Sequence, residues 1–165
     1  LYETKKCLYI RFIIPLYLFL PRKYKKVELV FIRHTGNAEE VDEETFFRDP
    51  TAGGTVVLSA LELMDKVRRA RYADDGNVYA AQASDGDAFG SDPAKSARFL
   101  RETLLPATRY YAYIELMPEG IFHPSTLWAE YAVLAEELET FAMSLAASRQ
   151  HIYPVFRSLF SKEAQ

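Results

Sequence analysis

Cysteine is almost absent: Cys7 is the only one in 165 residues, so no disulfide can form within the chain. That scarcity fits a reducing compartment, and the cytoplasm is the expected location. An excess of basic residues is also missing. Twenty Lys and Arg face 23 Asp and Glu, for a net charge of −3, which argues against the basic footprint of a nucleic-acid binder. Seven glycines and eight prolines are too few for a fibrous or low-complexity chain. The chain lacks a long hydrophobic run as well. Cys7 to Leu20 (CLYIRFIIPLYLFL) is the most apolar stretch, but it is shorter than the roughly 20 residues needed to span a bilayer. Arg11 and Pro15 interrupt it and no small-residue cleavage site follows. It reads as a buried helix with Cys7 as inert packing, and no membrane is expected as a partner. There is no phosphate loop, no dinucleotide fingerprint and no nucleophile elbow around Ser59 or Ser84. His123 and His151 have no metal-ligand spacing with any Cys or acid, and His34, at a strand end, reads as a loop histidine without a role or as one lining the rim at the strands' carboxyl ends.

What is present is an ordinary globular composition, about half apolar and a quarter charged, with 11 Tyr and 11 Phe. The length fits one domain, residues 1–165. A helix is expected at about 8–20, stopped by Pro21, with the basic cluster Arg22, Lys23, Lys25 and Lys26 as a solvated turn after it. A strand follows at 27–34 (VELVFIRH), nearly continuous in apolar residues as buried parallel strands are. The acidic run 39–44 (EEVDEE) is a solvated loop or an edge hairpin. After Ala52-Gly53-Gly54-Thr55, a helix reaches about Tyr72 with Val57, Ala60, Leu61, Met64 and Val67 on its core face. Residues 77–84 (NVYAAQAS) form a second buried strand. Asp92-Pro93 starts a further helix, with Asp92 as acceptor N-cap, running to about Leu105 and ended by Pro106. Residues 110–116 (YYAYIEL) form a third strand. From near Ser125 a long helix is expected, because Leu127, Tyr131, Leu134, Leu138, Phe141 and Leu145 alternate in steps of four and three. Trp128 beside Leu127 reads as core, and the tail at Ile152–Phe156 should dock on the body.

Strands alternating with helices predict an α/β fold: a doubly wound, mostly parallel open sheet with helices on both faces. Such a fold begins with a strand, whereas this chain begins with a helix and without Met, so a first strand is expected to lie upstream. Ligands of such sheets collect at the carboxyl ends of the strands. Two loops there have suitable chemistry. Gly53 and Gly54 permit close backbone approach, and Thr55 places a hydroxyl at a helix start. Ser84, Asp85, Gly86 and Asp87 close the second strand with carboxylates. A hydroxyl and carboxylates are hard oxygen donors that suit Mg²⁺ or Mn²⁺. Gly-Gly-Thr also serves as a turn with a helix cap, and Asp-Gly as a turn pair, so the motifs by themselves leave both readings open.

Taken together, RFIIPLYLFL, VELVFIRH, EEVDEETFF, GGT with SALELM, NVYAAQASDGD, LLP followed by YYAYIE, TLWAEY and IYPVFRSLF resemble, in order and over nearly the whole chain, the YeaH/YhbH family of bacterial stress-response and sporulation-associated proteins. That resemblance implies a von Willebrand factor A-like domain, of which this chain is the C-terminal part. It implies a metal-ion-dependent adhesion site built from an Asp-x-Ser-x-Ser loop, a Thr and an Asp. Thr55 matches the second element and Asp85 the third; the first has no counterpart in this sequence, leaving the site partial. Ala52 stands where the family's Thr-Gly-Gly-Thr has Thr, and Pro15 falls inside the first helix, where it should kink or break it. The implied role is non-enzymatic docking of a protein partner, with an AAA-type serine protein kinase and a SpoVR-like protein as candidates. The alternatives are a Mg²⁺-dependent phosphoryl-transfer or hydrolase domain using Asp85 and Asp87, with Glu115 as a further acid, and a structural remnant without function.

Overall fold

The computed structural model describes residues 25–34, 36–48, 56–73, 77–117, 123–146 and 154. The helix expected at 8–20, the Gly53-Gly54-Thr55 segment and the Ile152–Phe156 docking lie outside the described residues.

The first elements form a hairpin. Strand β1 (Phe31–His34) pairs antiparallel with β2 (Ala38–Val41), with Phe31 opposite Val41 and His34 opposite Ala38. Gly36 lies between the two strands. The expected buried parallel strand at 27–34 is therefore, over its paired part, a half-exposed antiparallel one. Its apolar residues pack locally: Phe31 meets Phe46 and Phe47 of α1 (Glu43–Arg48) at 5.0 and 5.7 Å between ring centroids. The acidic run is the far side of this hairpin. Glu39 pairs with Arg33 directly across the strands, Glu44 pairs with Arg48 at 2.6 Å, and Asp42 accepts from the Thr45 amide at 2.7 Å, capping α1.

Helix α2 (Val57–Arg71) follows, with Val57 and Leu61 buried as its spacing predicts. Asp65 is also buried, held by Arg68 and Arg69 at 2.7 Å each. Arg71, at the end of α2, forms an ion pair with Glu40 of β2 and so ties hairpin to helix.

The main sheet is parallel and three-stranded, in the order β3 (Tyr79–Ser84), β4 (Tyr110–Leu116), β5 (Phe141–Ala146). Helix α3 (Asp92–Phe99), continued by a π-helical turn at Leu100–Leu104 and a 3-10 turn at Leu105–Ala107, carries the chain from β3 to β4. Helix α4 (Thr126–Glu137) carries it from β4 to β5. All seven residues of β4 are buried, on both of its faces, as a central parallel strand requires. Tyr111 and Tyr113 share one core with Val57 and Leu61 of α2, Leu100 and Leu104, and Leu127, Tyr131 and Leu134 of α4. Tyr131 sits edge-on to Tyr113 and Phe141, at 4.9 and 5.6 Å. Gln82 Oε1 accepts hydrogen bonds from the Tyr111 and Tyr131 hydroxyls at 2.8 and 3.3 Å, so neither phenol is orphaned inside.

The long final helix is corrected. It ends at Glu137, Leu138 is already extended (φ −126°, ψ 115°), and Phe141 and Leu145 belong to strand β5. Pairing of Phe141–Ala146 with the central strand, Tyr111 opposite Phe141, outweighs the helical spacing of the leucines. The described strands thus make a mixed α/β fold with two separate sheets: β1 does not pair with β3.

Candidate functional site

Parallel strands deliver their loops to one end of the sheet, and the predicted Ser84–Asp87 segment is there, directly after β3. Ser84 is buried, and its hydroxyl oxygen accepts from the Gly86 amide at 3.0 Å. Asp85 is half-buried, and its Oδ1 accepts from the Asp87 amide at 3.2 Å. Asp87 itself is exposed. Gly86 has φ +76° and no space for a side chain: a Cβ would lie 2.5 Å from Ser125 Cβ and Oγ and 2.7 Å from Glu115 Cδ. Asp85 is therefore carried on a tight turn seated against the next strand's end.

That seat is a buried polar cluster, of which the sequence singled out only Glu115, as a further acid, and neither Tyr113 nor Ser125 as its partners. Glu115, 1% exposed, stands opposite Ser84 in the β3–β4 register. Its Oε2 accepts from the Tyr113 hydroxyl at 2.8 Å and the Ser125 hydroxyl at 2.6 Å, and its Oε1 from the Ser125 amide at 3.4 Å. Ser125 in turn caps α4, accepting from the Trp128 amide at 2.9 Å. Burial first, and the neighbouring Glu115 carboxylate second, hold the Tyr113 phenol far above its ordinary pKa, so it stays a proton donor. The available signal was a lone acid inside an otherwise apolar seven-residue strand.

A second correction concerns Asp92. It opens α3, but the residue in the N-cap position is Ser91. The Asp92 carboxylate reaches across to another helix: Oδ2 accepts from the Val57 amide at 2.8 Å and Oδ1 from the Leu58 amide at 3.2 Å. Val56, in the N-cap position of α2, has extended backbone (φ −120°, ψ 91°) and makes no side-chain cap bond. Asp92 supplies the acceptor that valine cannot.

His34, at the end of β1, completes this corner. Burial lowers its pKa, opposed by the charges of Asp85 and then Asp92. Its Nδ1 is buried with no hydrogen-bond partner. The structure thus brings His34 within electrostatic reach of Asp85 and of Asp92 and seats Gly86 on Glu115 and Ser125. Gly53, Gly54 and Thr55 fall outside the described residues. Trp128 is partly buried against the core, as expected.

The donors present are carboxylates, whose chemistry suits a hard cation. Among the described residues, however, no three His, Cys, Asp or Glu side chains are grouped to hold a metal ion. An open groove of about 640 Å³ lies at the hairpin, lined by Val27, Leu29, Phe31, Val41, Glu40, Asp42 and Glu43; among the described residues, Ser84, Asp85, Gly86 and Asp87 do not border it. Among the described residues no helix is long and apolar enough to cross a membrane.

Comparison with known proteins finds no matching solved structure. Curated relatives are plentiful. The chain is 50% identical over 154 residues to a UPF0229 protein of Vibrio vulnificus (strain CMCP6), which covers 93% of the chain and 36% of the relative. It is 47% identical over 155 residues to a UPF0229 protein of Shewanella oneidensis, with the same coverage. It is 46% identical over 162 residues to one of Legionella pneumophila (strain Corby), covering 98% of the chain and 38% of the relative. The chain therefore spans little more than a third of the length of these relatives. A family described as "Protein of unknown function (DUF444)" matches residues 1–163, and the chain belongs to that family, the one whose members the YeaH/YhbH resemblance pointed to.

Proposed function

We propose that this chain is part of a cytoplasmic, non-enzymatic protein-docking module with a von Willebrand factor A-like fold, whose partner binds through a metal-ion-dependent adhesion site. The observation that carries the reading is the placement of Asp85. It sits on a glycine turn at the carboxyl end of a parallel strand, beside the fully buried central strand, where open α/β sheets bind ligands. Thr55 and Asp85 would hold Mg²⁺ or Mn²⁺, together with an Asp-x-Ser-x-Ser loop supplied from upstream in the longer family proteins. The metal would offer an open coordination position to a partner's carboxylate. Two features support a strand upstream of residue 1. Among the described residues the hairpin and the three-stranded sheet are not paired with one another, and the charge of Asp85, beyond the end of β3, opposes the lowering of the His34 pKa at the end of β1. One strand between β1 and β3 would join them.

The phosphoryl-transfer alternative needs another acid beside Asp85 and Asp87. Glu115, the nearest candidate by register, has its oxygens committed to Tyr113 and Ser125.

The test is partner binding. A full-length family protein should bind the SpoVR-like protein or the AAA-type serine protein kinase in Mg²⁺ and release it in EDTA, and Asp85→Ala should behave as EDTA does. Binding that ignores EDTA and tolerates Asp85→Ala would remove the adhesion-site reading. Metal-dependent turnover of a phosphate ester that Asp85→Ala abolishes would favour the enzyme instead.

A further inference from the structure

The open groove at the hairpin exists because β1 and the residues before it outlast their partner strand. Phe31 lies opposite Val41, so a longer β2 would set positions 43 and 45 opposite Leu29 and Val27. Instead Asp42 turns the chain into α1, its carboxylate accepting from the Thr45 amide at 2.7 Å and its carbonyl from the Phe46 amide at 2.9 Å. Among the described residues Val27 and Leu29 are left without a cross-strand neighbour, and Leu29 is 37% exposed. Val27, Leu29 and Phe31 line the groove at every second position, the spacing of an extended chain, with Val41 beside them. Its surroundings are fixed: Phe31 packs on Phe46 and Phe47, and Arg71 ties Glu40 to α2. Among the described residues, the charged groups of the lining are all acidic: Glu40, Asp42 and Glu43. Hydrogen bonds from Thr45, its backbone amide first, hold the Asp42 pKa below the ordinary carboxylate value, so this acid stays ionised.

We propose that this groove docks an extended segment of a partner protein in which apolar residues alternate with lysine or arginine. Apolar side chains of the segment would cover Val27, Leu29, Phe31 and Val41. The long stems of its lysines or arginines would run beside them and bring their charges to Asp42 and the neighbouring acids. Charge complementarity selects this occupant: an acidic segment of the same shape would set like charges together, and a basic segment without apolar residues would leave Leu29 uncovered. The volume of about 640 Å³ is within the roughly 300–1,000 Å³ of clefts that hold ligands. The contact goes beyond the adhesion-site reading, because Ser84, Asp85, Gly86 and Asp87 do not border the groove and no cation takes part.

The test uses the whole 165-residue chain and three short synthetic peptides, with binding read by fluorescence anisotropy. One peptide alternates lysine with leucine and valine. The second has glutamate in place of each lysine, and the third has serine in place of each apolar residue. The first should bind saturably, at least about tenfold tighter than either control, and more weakly as salt is raised. Leu29→Glu should weaken it at least about tenfold. Asp42→Asn keeps an acceptor for the Thr45 amide, and so the cap of α1, and should weaken binding about three- to tenfold. The second variant tests the charge even if the first does not fold. No saturable binding of the lysine peptide, equal binding of all three peptides, or a folded variant of either kind binding within about twofold of the parent would overturn the proposal. Self-association of the chain that Leu29→Glu abolishes would give the groove to a second copy. Peptide binding that Asp85→Asn abolishes and both groove variants spare would move the contact to the strand ends. Either result also overturns it.

Discussion

Individual residues at the carboxyl rim are fixed by geometry that admits few substitutions. Gly86→Ala meets a positive φ and a Cβ 2.5 Å from Ser125. It should destabilise the fold by about 2–4 kcal/mol, from backbone strain plus overpacking, measured by urea unfolding. An Ala variant within about 0.5 kcal/mol of the parent would mean the turn is not seated as described. His34 gives a pH signature. Its folded-state pKa lies below the ordinary 6.5 because burial opposes the charged ring. The unfolded chain therefore binds the proton first, and stability is full above pH 6.5 and lost as pH falls through that value toward the lowered one. His34→Gln should flatten that part of the stability–pH curve. The glycine and the carboxylates of this loop were legible in the sequence, since Asp-Gly after an apolar strand marks a turn wherever it occurs. The partners were not. Glu115 and Ser125 meet only because the β3–β4 register brings Glu115 opposite Ser84 and the start of α4 returns to the same end.

At the level of elements, local signals located most boundaries and failed where a distant partner decided. Tyr110–Leu116 is a strand as its apolar pattern predicts, and α2 begins at the first residue of its predicted core face. The heptad spacing through Leu145 misled because Phe141 and Leu145 satisfy helical and strand patterns alike; the open side of β4 selects the strand. Two substitutions distinguish the cases. Phe141, 3% exposed, should cost about 3–5 kcal/mol on replacement by Ala, whereas Leu145→Lys, at a 38% exposed strand position, should cost under about 0.5 kcal/mol. A large penalty at both positions would restore the helix reading. The capping of α2 gives a second check. Val56→Asn should stabilise by up to about 1 kcal/mol, and by more in an Asp92→Ala background than in the parent, because the two acceptors compete for the same first-turn amides. Asp92 had been expected to cap its own helix because Asp-Pro is a good start signal. No local pattern reveals that a carboxylate serves a helix 35 residues earlier.

For the whole molecule, the sequence predicted an α/β chain with a parallel sheet, and the β3–β4–β5 sheet with its crossover helices has that character. It placed 27–34 in that sheet because an apolar run looks the same in a buried parallel strand and in a hairpin backed by aromatic residues. Here Phe31, Phe46 and Phe47 bury one another locally. Among the described residues, hairpin and sheet are separate ladders bridged by α2, whose Arg71 holds Glu40 and whose Val57 amide holds Asp92. This division is what the docking account builds on: one more strand would merge the ladders and bring a third loop to the rim beside Asp85. The direct measurement is Mg²⁺ and Mn²⁺ calorimetry on this chain and on a full-length family protein. The account predicts saturable binding by the full-length protein, lost in Thr55→Ala and Asp85→Ala, and little or none by residues 1–165 alone. Absence of binding by both, or binding by the full-length protein that neither substitution weakens, would contradict it and return Thr55 and Asp85 to the roles of helix cap and turn.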